Sequence, residues 1–161
     1  MKRLKRVFTI LTGALLLAMA LTACGGGKSS GDITVDAAKL AEQLQSETVT
    51  TDTLAATPEG QIASIYFFDT AKIENAAAYT SSGATACEVA VVECSDSSYT
   101  GEVEKLFKNR AEHQAELYKS YNAGEVSKLE NAIIKSAGKY VVFCVCDDTG
   151  KASQILKDSG F

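Results

Sequence analysis

Residues 73–94 read IENAAAYTSSGATACEVAVVEC, and residues 132–146 read AIIKSAGKYVVFCVC. Each stretch holds two β-prone runs around a cluster of turn residues, the pattern of an antiparallel hairpin. The first hairpin is expected to pair Ile73 to Thr80 with Cys87 to Cys94 across Ser81-Ser82-Gly83-Ala84-Thr85. The second pairs Ala132 to Ser136 with Tyr140 to Cys146 across Ala137-Gly138-Lys139. Tyr140 to Cys146 is apolar on both faces, as a central strand would be. Ile73 to Thr80 is small and partly polar. The two units also echo each other: Glu74-Asn75-Ala76 opens one and Glu130-Asn131-Ala132 the other, and they close on Cys94-Ser95-Asp96 and Cys146-Asp147-Asp148. A helix is expected after each.

Between the hairpins the period changes from two to 3.6. A long helix is expected from about Tyr99 to Tyr121, with an apolar stripe of Val103, Phe107, Gln114, Leu117, Tyr118 and Tyr121 and with Leu106 at its edge. Glu102 and Glu104 favour its positive end, and Asn122-Ala123-Gly124 stops it. A last short helix carries Ala152, Ile155 and Leu156. Two short helices come before the first hairpin. Asp36 caps one, with Ala37, Leu40, Ala41 and Leu44 at helical spacing; Thr57-Pro58 starts the other, with Ile62, Ile65 and Tyr66 on its face. Glu47 to Thr57 is Thr-rich and reads as irregular. The expected fold class is α+β: a two-layer domain over residues 36–161, with a four-stranded antiparallel sheet made of two ββα units and helices packed on one face. Val89, Val91, Val141, Phe143, Val145, Val103, Phe107 and Leu117 form the expected core.

The N-terminal segment is an address. Lys2, Arg3, Lys5 and Arg6 precede an apolar run from Val7 to Ala23, which matches an export signal. A permanent span is the competing reading, but seventeen residues sit at the short end of what crosses a bilayer. Leu21-Thr22-Ala23-Cys24 resembles the bacterial lipobox, whose cysteine is lipidated and becomes the mature N-terminus. Residues 1–23 are therefore expected to be a lipoprotein signal peptide, and residues 24–35 a Gly/Ser-rich tether spanning roughly 15–20 Å. Loss of the four head charges takes the formal net charge from −4 to −8. Attachment would then come from two or more acyl chains on Cys24, with palmitate as the typical third, rather than from a basic patch. The expected location is the extracytoplasmic side of the cell membrane. Membrane lipid is the first partner, and a neighbouring surface protein the second.

With 161 residues, 46% hydrophobic and 22% charged, the composition is that of one globular domain plus an appendage. The acidic balance excludes nucleic acid as a partner, because phosphate contacts need clustered Lys and Arg. No GxGxxG or P-loop signature supports nucleotide binding.

The signal and tether, the stretch Tyr79-Thr80-Ser81-Ser82-Gly83-Ala84-Thr85-Ala86-Cys87-Glu88-Val89-Ala90-Val91, the later Leu129-Glu130-Asn131-Ala132, and Tyr140-Val141-Val142 are similar to a bacterial lipoprotein family known as domain of unknown function 4358. The similarity runs over roughly residues 36–158. It implies a small surface lipoprotein, mostly of Gram-positive anaerobes, without an assigned activity or catalytic residues. The cysteines depart from the family's pattern, which has ordinary apolar residues on those strands, and this speaks against family-wide thiol chemistry.

Four groups of residues bear on chemistry. Cys144 and Cys146 fall on one face of a strand, and an adjacent strand can bring Cys87 or Cys94 beside them. Their spacing does not fit a structural zinc site, where pairs two to four residues apart sit on turns, and free Cys commonly acts as a small core hydrophobe. The readings left open are core thiols, one disulfide, and a redox pair of Cys144 and Cys146; Asp147 and Asp148 beside Cys146 would oppose a thiolate. Ser81, Ser82, Gly83 and Thr85 offer hydroxyl and backbone donors that can hold an anion or a peptide end, or simply turn a hairpin. His113, the only histidine, is expected on the exposed part of the long helix, with no nucleophile elbow to serve. Asp147 and Asp148 lack the calcium-loop pattern and are expected to cap the last helix. The functional expectation is a non-catalytic binding or interaction module tethered at the membrane, with no metal and no cofactor; the alternative is a thiol redox protein using Cys144 and Cys146.

Overall fold

The computed structural model describes residues 33–161. The signal peptide expected over 1–23, the lipidation site Cys24 and the tether as far as residue 32 lie outside the described residues. Among the described residues, no helix is long and apolar enough to cross a membrane.

Ten elements follow in order: α1 (Ala37–Thr48), β1 (Ala55–Ala56), α2 (Glu59–Tyr66), β2 (Ile73–Thr80), β3 (Glu88–Cys94), α3 (Thr100–Tyr121), α4 (Val126–Glu130), β4 (Ile133–Ala137), β5 (Tyr140–Val145) and α5 (Thr149–Asp158). The strands form one antiparallel sheet in the order β1-β2-β3-β5-β4. Both hairpins form where expected. The sheet has five strands rather than four, because the Thr-rich stretch after α1 contains a two-residue edge strand pairing Ala55 with Thr80 and Ala56 with Tyr79. Two residues carry too little alternation to be seen as a strand in sequence.

Thr57 continues that edge instead of capping α2. Its N–H donates to the Ala78 carbonyl at 2.8 Å and its hydroxyl meets Thr80 Oγ1 at 3.3 Å, so α2 begins behind Pro58 without a side-chain cap. Asp36 does cap α1, accepting from the Lys39 N–H at 3.1 Å. Asp148 caps α5, accepting from the Lys151 N–H at 2.8 Å.

The expected two-layer arrangement is corrected: helices cover both faces of the sheet. Side chains alternate across β3 and β5. On one face Ala90, Val92, Cys94, Val141, Phe143 and Val145 pack beneath α2, α3 and α4. On the other, Val89, Val91, Val142 and Cys144 pack beneath α1 and α5. Residues Val89 to Val92 and Val141 to Val145 are fully buried. The first face centres on four aromatic rings, with Phe107 stacked on Phe143 at 5.0 Å and Tyr66 edge-on to Phe107 at 5.3 Å. Each hairpin is followed by a helix as expected, α3 after β2 and β3 and α5 after β4 and β5, but the two helices take opposite faces.

Seven of the eight expected core residues have no exposed surface; Leu117 is the exception at 46%. The reason is length. The 22 residues of α3 extend about 33 Å, whereas the six residues of β5 extend about 20 Å. The last turns of α3 therefore run past the sheet, and Leu117 and Tyr121 emerge into solvent while Tyr118 turns back and is buried.

Phe107→Ala removes the ring that joins α2, α3 and the sheet. It is expected to lower stability by about 3–5 kcal/mol, measured as a shift in the urea unfolding midpoint. Leu117→Ala is expected to change stability by less than about 1 kcal/mol.

Candidate functional site

One end of the sheet collects most of the chemistry. The β2–β3 loop, the segment after α1, the start of α4 and the residues after β5 meet there, because α1 and β5 both run toward that end. The Asp147 and Asp148 N–H groups both donate to the Thr48 carbonyl at 3.1 Å, which ties the exit of β5 to the end of α1.

Asp147 is the hub, not a helix cap. Its Oδ2 accepts from the Thr50 and Thr51 N–H groups at 2.6 and 2.9 Å, and its Oδ1 accepts from Thr51 Oγ1 at 2.9 Å. Lys128 Nζ lies 2.8 Å from Asp147 Oδ1 and 3.0 Å from Glu125 Oε2. The same Glu125 oxygen accepts from the Ala86 N–H at 2.9 Å. Burial alone would raise the Asp147 carboxyl, but the Lys128 ammonium and the Thr50 and Thr51 donors hold it well below the usual carboxylate range. Lys128 is pushed up in turn: Asp147 and Glu125 outweigh the effect of its own burial.

The loop expected to offer donors to a ligand already holds an anion from its own chain. The Ser81 and Thr85 hydroxyls donate to Asp52 Oδ2 at 2.5 and 2.7 Å. The Gly83 and Thr85 N–H groups donate to Ser81 Oγ at 3.1 and 3.2 Å. Hydrogen bonds from Ser81 and then Thr85 lower the Asp52 carboxyl. Tyr118 donates its phenolic hydroxyl to the Thr85 carbonyl and locks the loop to α3. Gly83 takes φ +104, a backbone conformation that favours glycine. Ser82, Gly83 and Ala84 face solvent. Beside the loop, Arg110 makes a bidentate pair with the buried Glu88, with Nε to Oε1 at 3.0 Å and Nη2 to Oε2 at 2.9 Å.

The four thiols are all buried. Cys87, Cys144 and Cys146 share the face beneath α1 and α5, and Cys94 lies on the other. Burial pushes the Cys94 thiol up to about 11 and raises Cys87. Lys128 Nζ is 3.7 Å from Cys87 Sγ. The two neighbouring thiols, Cys144 and Cys146, perturb each other, which raises Cys144 and lowers Cys146. The expectation that Asp147 and Asp148 would suppress a Cys146 thiolate is thus corrected. The opposing charge of Asp147 is outweighed. Among the described residues, no three His, Cys, Asp or Glu side chains converge in a metal-holding geometry.

His113 is exposed on α3. It borders a groove of about 880 Å³ between α3, α4 and β4, where Lys108, Glu112, Glu116 and Lys119 surround Leu129 and Ile134. Sequence reasoning passed over Asp52, Glu125 and Lys128. Asp52 lies 29 residues from Ser81 and Glu125 lies 39 residues from Ala86, so spacing gave no signal for these pairs.

The chain belongs to the family described as domain of unknown function (DUF4358), which matches residues 47–146. That interval runs from the last turn of α1 to Cys146, and so takes in the whole sheet. No curated protein and no solved structure matches the chain.

Asp147 carries a depressed folded-state pKa, so its contribution is complete above the unfolded carboxyl range and is lost as pH falls through the folded value. Stability is expected to decline below about pH 5. Asp147→Asn should lose roughly 2–3 kcal/mol at pH 7 and flatten that acid slope, read by urea unfolding across pH.

Proposed function

We propose that the protein is a lipid-anchored extracytoplasmic module that binds a partner at the outer face of the cytoplasmic membrane and performs no catalysis itself. The observation that carries the anchoring is Leu21-Thr22-Ala23-Cys24 at the end of a basic head and apolar run. The family supports a shared domain and assigns it no activity. The binding reading draws on how the polar end is used: the Ser81 and Thr85 hydroxyls serve Asp52, and Lys128 serves Asp147 and Glu125. These groups fix four segments against one another and make a rigid platform.

The chain's entry point gives the platform a direction. Ile33 packs beside Gly138 and Gly160, where a Cβ on Gly160 would come within 3.0 Å of Ile33 Cγ2. This is the end of the sheet opposite the Ser81–Thr85 loop, since Gly138 lies in the β4–β5 turn. A tether from Cys24 holds that end toward the membrane and turns the loop outward. Both sheet faces are covered, so a partner docks on the outward loop with its exposed Ser82, Gly83 and Ala84, or along the groove between α3 and β4, rather than on an open sheet face.

A second reading, thiol redox chemistry by Cys144 and Cys146, draws on the lowered Cys146 thiol. Rapid, selective alkylation of either residue in the folded, reduced protein at neutral pH would favour it. Slow alkylation of all four would favour the binding module.

In cells making Cys24→Ala, lipid labelling is expected to vanish and the chain to leave the membrane fraction. Crosslinks made by the wild-type chain on intact cells are expected to fall on residues 81–85 or on α3. Unchanged membrane retention of the variant would overturn the lipid anchor, and crosslinks confined to the Gly138 end would overturn the orientation.

A further inference from the structure

We propose that Cys87 and Cys146 form a cross-strand disulfide site, closed by thiol–disulfide exchange with a low-molecular-weight disulfide. The last registered pair of β3 and β5 is Glu88 opposite Val145. Continued one step beyond the ends of both strands, the same register sets Cys87 opposite Cys146, and both residues belong to the face beneath α1 and α5. The kind of pairing matters. The Cys87 carbonyl accepts from the Ser81 N–H at 3.3 Å, so its backbone groups point toward β2. Toward β5 it is a non-hydrogen-bonded position, where facing Cα atoms come within about 4.5 Å. A disulfide needs Cα atoms roughly 4.4–6.8 Å apart.

The alternative partner fits less well. Cys144 and Cys146 are two residues apart on one extended segment, which separates them by about 6.6 Å with parallel Cβ directions. A disulfide wants Cβ atoms about 3.8 Å apart. Cys94 is excluded by lying on the opposite face.

The exchange balances as follows. The Cys146 thiolate attacks one sulfur of the small disulfide, forming a mixed disulfide and expelling one thiolate, which takes up the proton Cys146 gave to solvent. The Cys87 sulfur then attacks the Cys146 sulfur and expels the second small thiol, which carries away the Cys87 proton. The protein loses two electrons and two protons, and the small disulfide becomes two thiols. Lys128 Nζ, 3.7 Å from Cys87 Sγ, favours the thiolate with which Cys87 attacks. The product would join the two central strands at the end held by Asp147.

The full-length chain, purified reduced in detergent, is incubated with oxidised glutathione and mapped by non-reducing peptide mass spectrometry after alkylation. The expected result is loss of two free thiols, a Cys87–Cys146 cross-linked peptide pair, and a urea midpoint that rises on oxidation and returns on reduction. Cys144→Ala should keep the cross-link. Cys87→Ala should stop at a glutathione adduct on Cys146. A cross-link through Cys144 or Cys94, a wild-type product that stays a mixed adduct, or four thiols still free under conditions that oxidise the urea-unfolded chain would each overturn the assignment. Peptide mapping reads Cys24, a fifth thiol wherever it is not lipidated, separately from the other four, and none of these outcomes depends on which partner the module binds.

Discussion

The two central strands have no solvent face, and that constraint governs the rest of the structure. Every residue of β5 is buried, and in β3 only Glu93 reaches partial exposure. A strand in that position needs an apolar layer on each side. The chain supplies both: α2, α3 and α4 bring Tyr66, Phe107 and Leu129 to one face, while α1 and α5 bring Leu40, Leu44, Ala152 and Leu156 to the other. Aromatic rings fill the first layer, and small aliphatic side chains and thiols fill the second. Cys144 fits that second layer as a residue of modest volume, independently of its chemistry.

Where the layers end, polar groups take over. Asp147 leaves β5 directly from the buried strand and gathers two backbone N–H groups and the Lys128 ammonium around it. Asp52 does the same for the β2–β3 loop. Each carboxylate joins chain segments far apart in sequence, and a hydrogen bond to a charged group contributes roughly 1.5–3 kcal/mol. The arrangement accounts for why hydroxyl-rich and acidic stretches sit beside an apolar sheet, and it leaves the loop's outermost residues as the surface open to a partner.

Local patterns carried most of the fold. The β-prone runs Glu88 to Cys94 and Tyr140 to Val145 gave the hairpins, and the Asp36 cap gave α1. Which face each helix covers was not legible. The apolar stripe of α5 looks alike whichever side it packs, and the choice is made by the direction in which the chain leaves β5. The edge strand Ala55–Ala56 was too short to announce itself, and Leu117 kept the period of a core residue after the sheet beneath it had ended. In the polar end the loop residues were visible as turn chemistry. Their engagement with Asp52 was not, since Ser81 lies 29 residues from its partner.

Amide hydrogen exchange of the folded chain tests the central constraint most directly. The account predicts that amides of β3 and β5 exchange slowest and together, at the free energy of global unfolding. The Thr50 and Thr51 amides should be protected well above other loop amides because Asp147 holds them, and the outer edge of β2 should exchange fast. Exchange of β5 at edge-strand rates, with one face open to solvent, would contradict it.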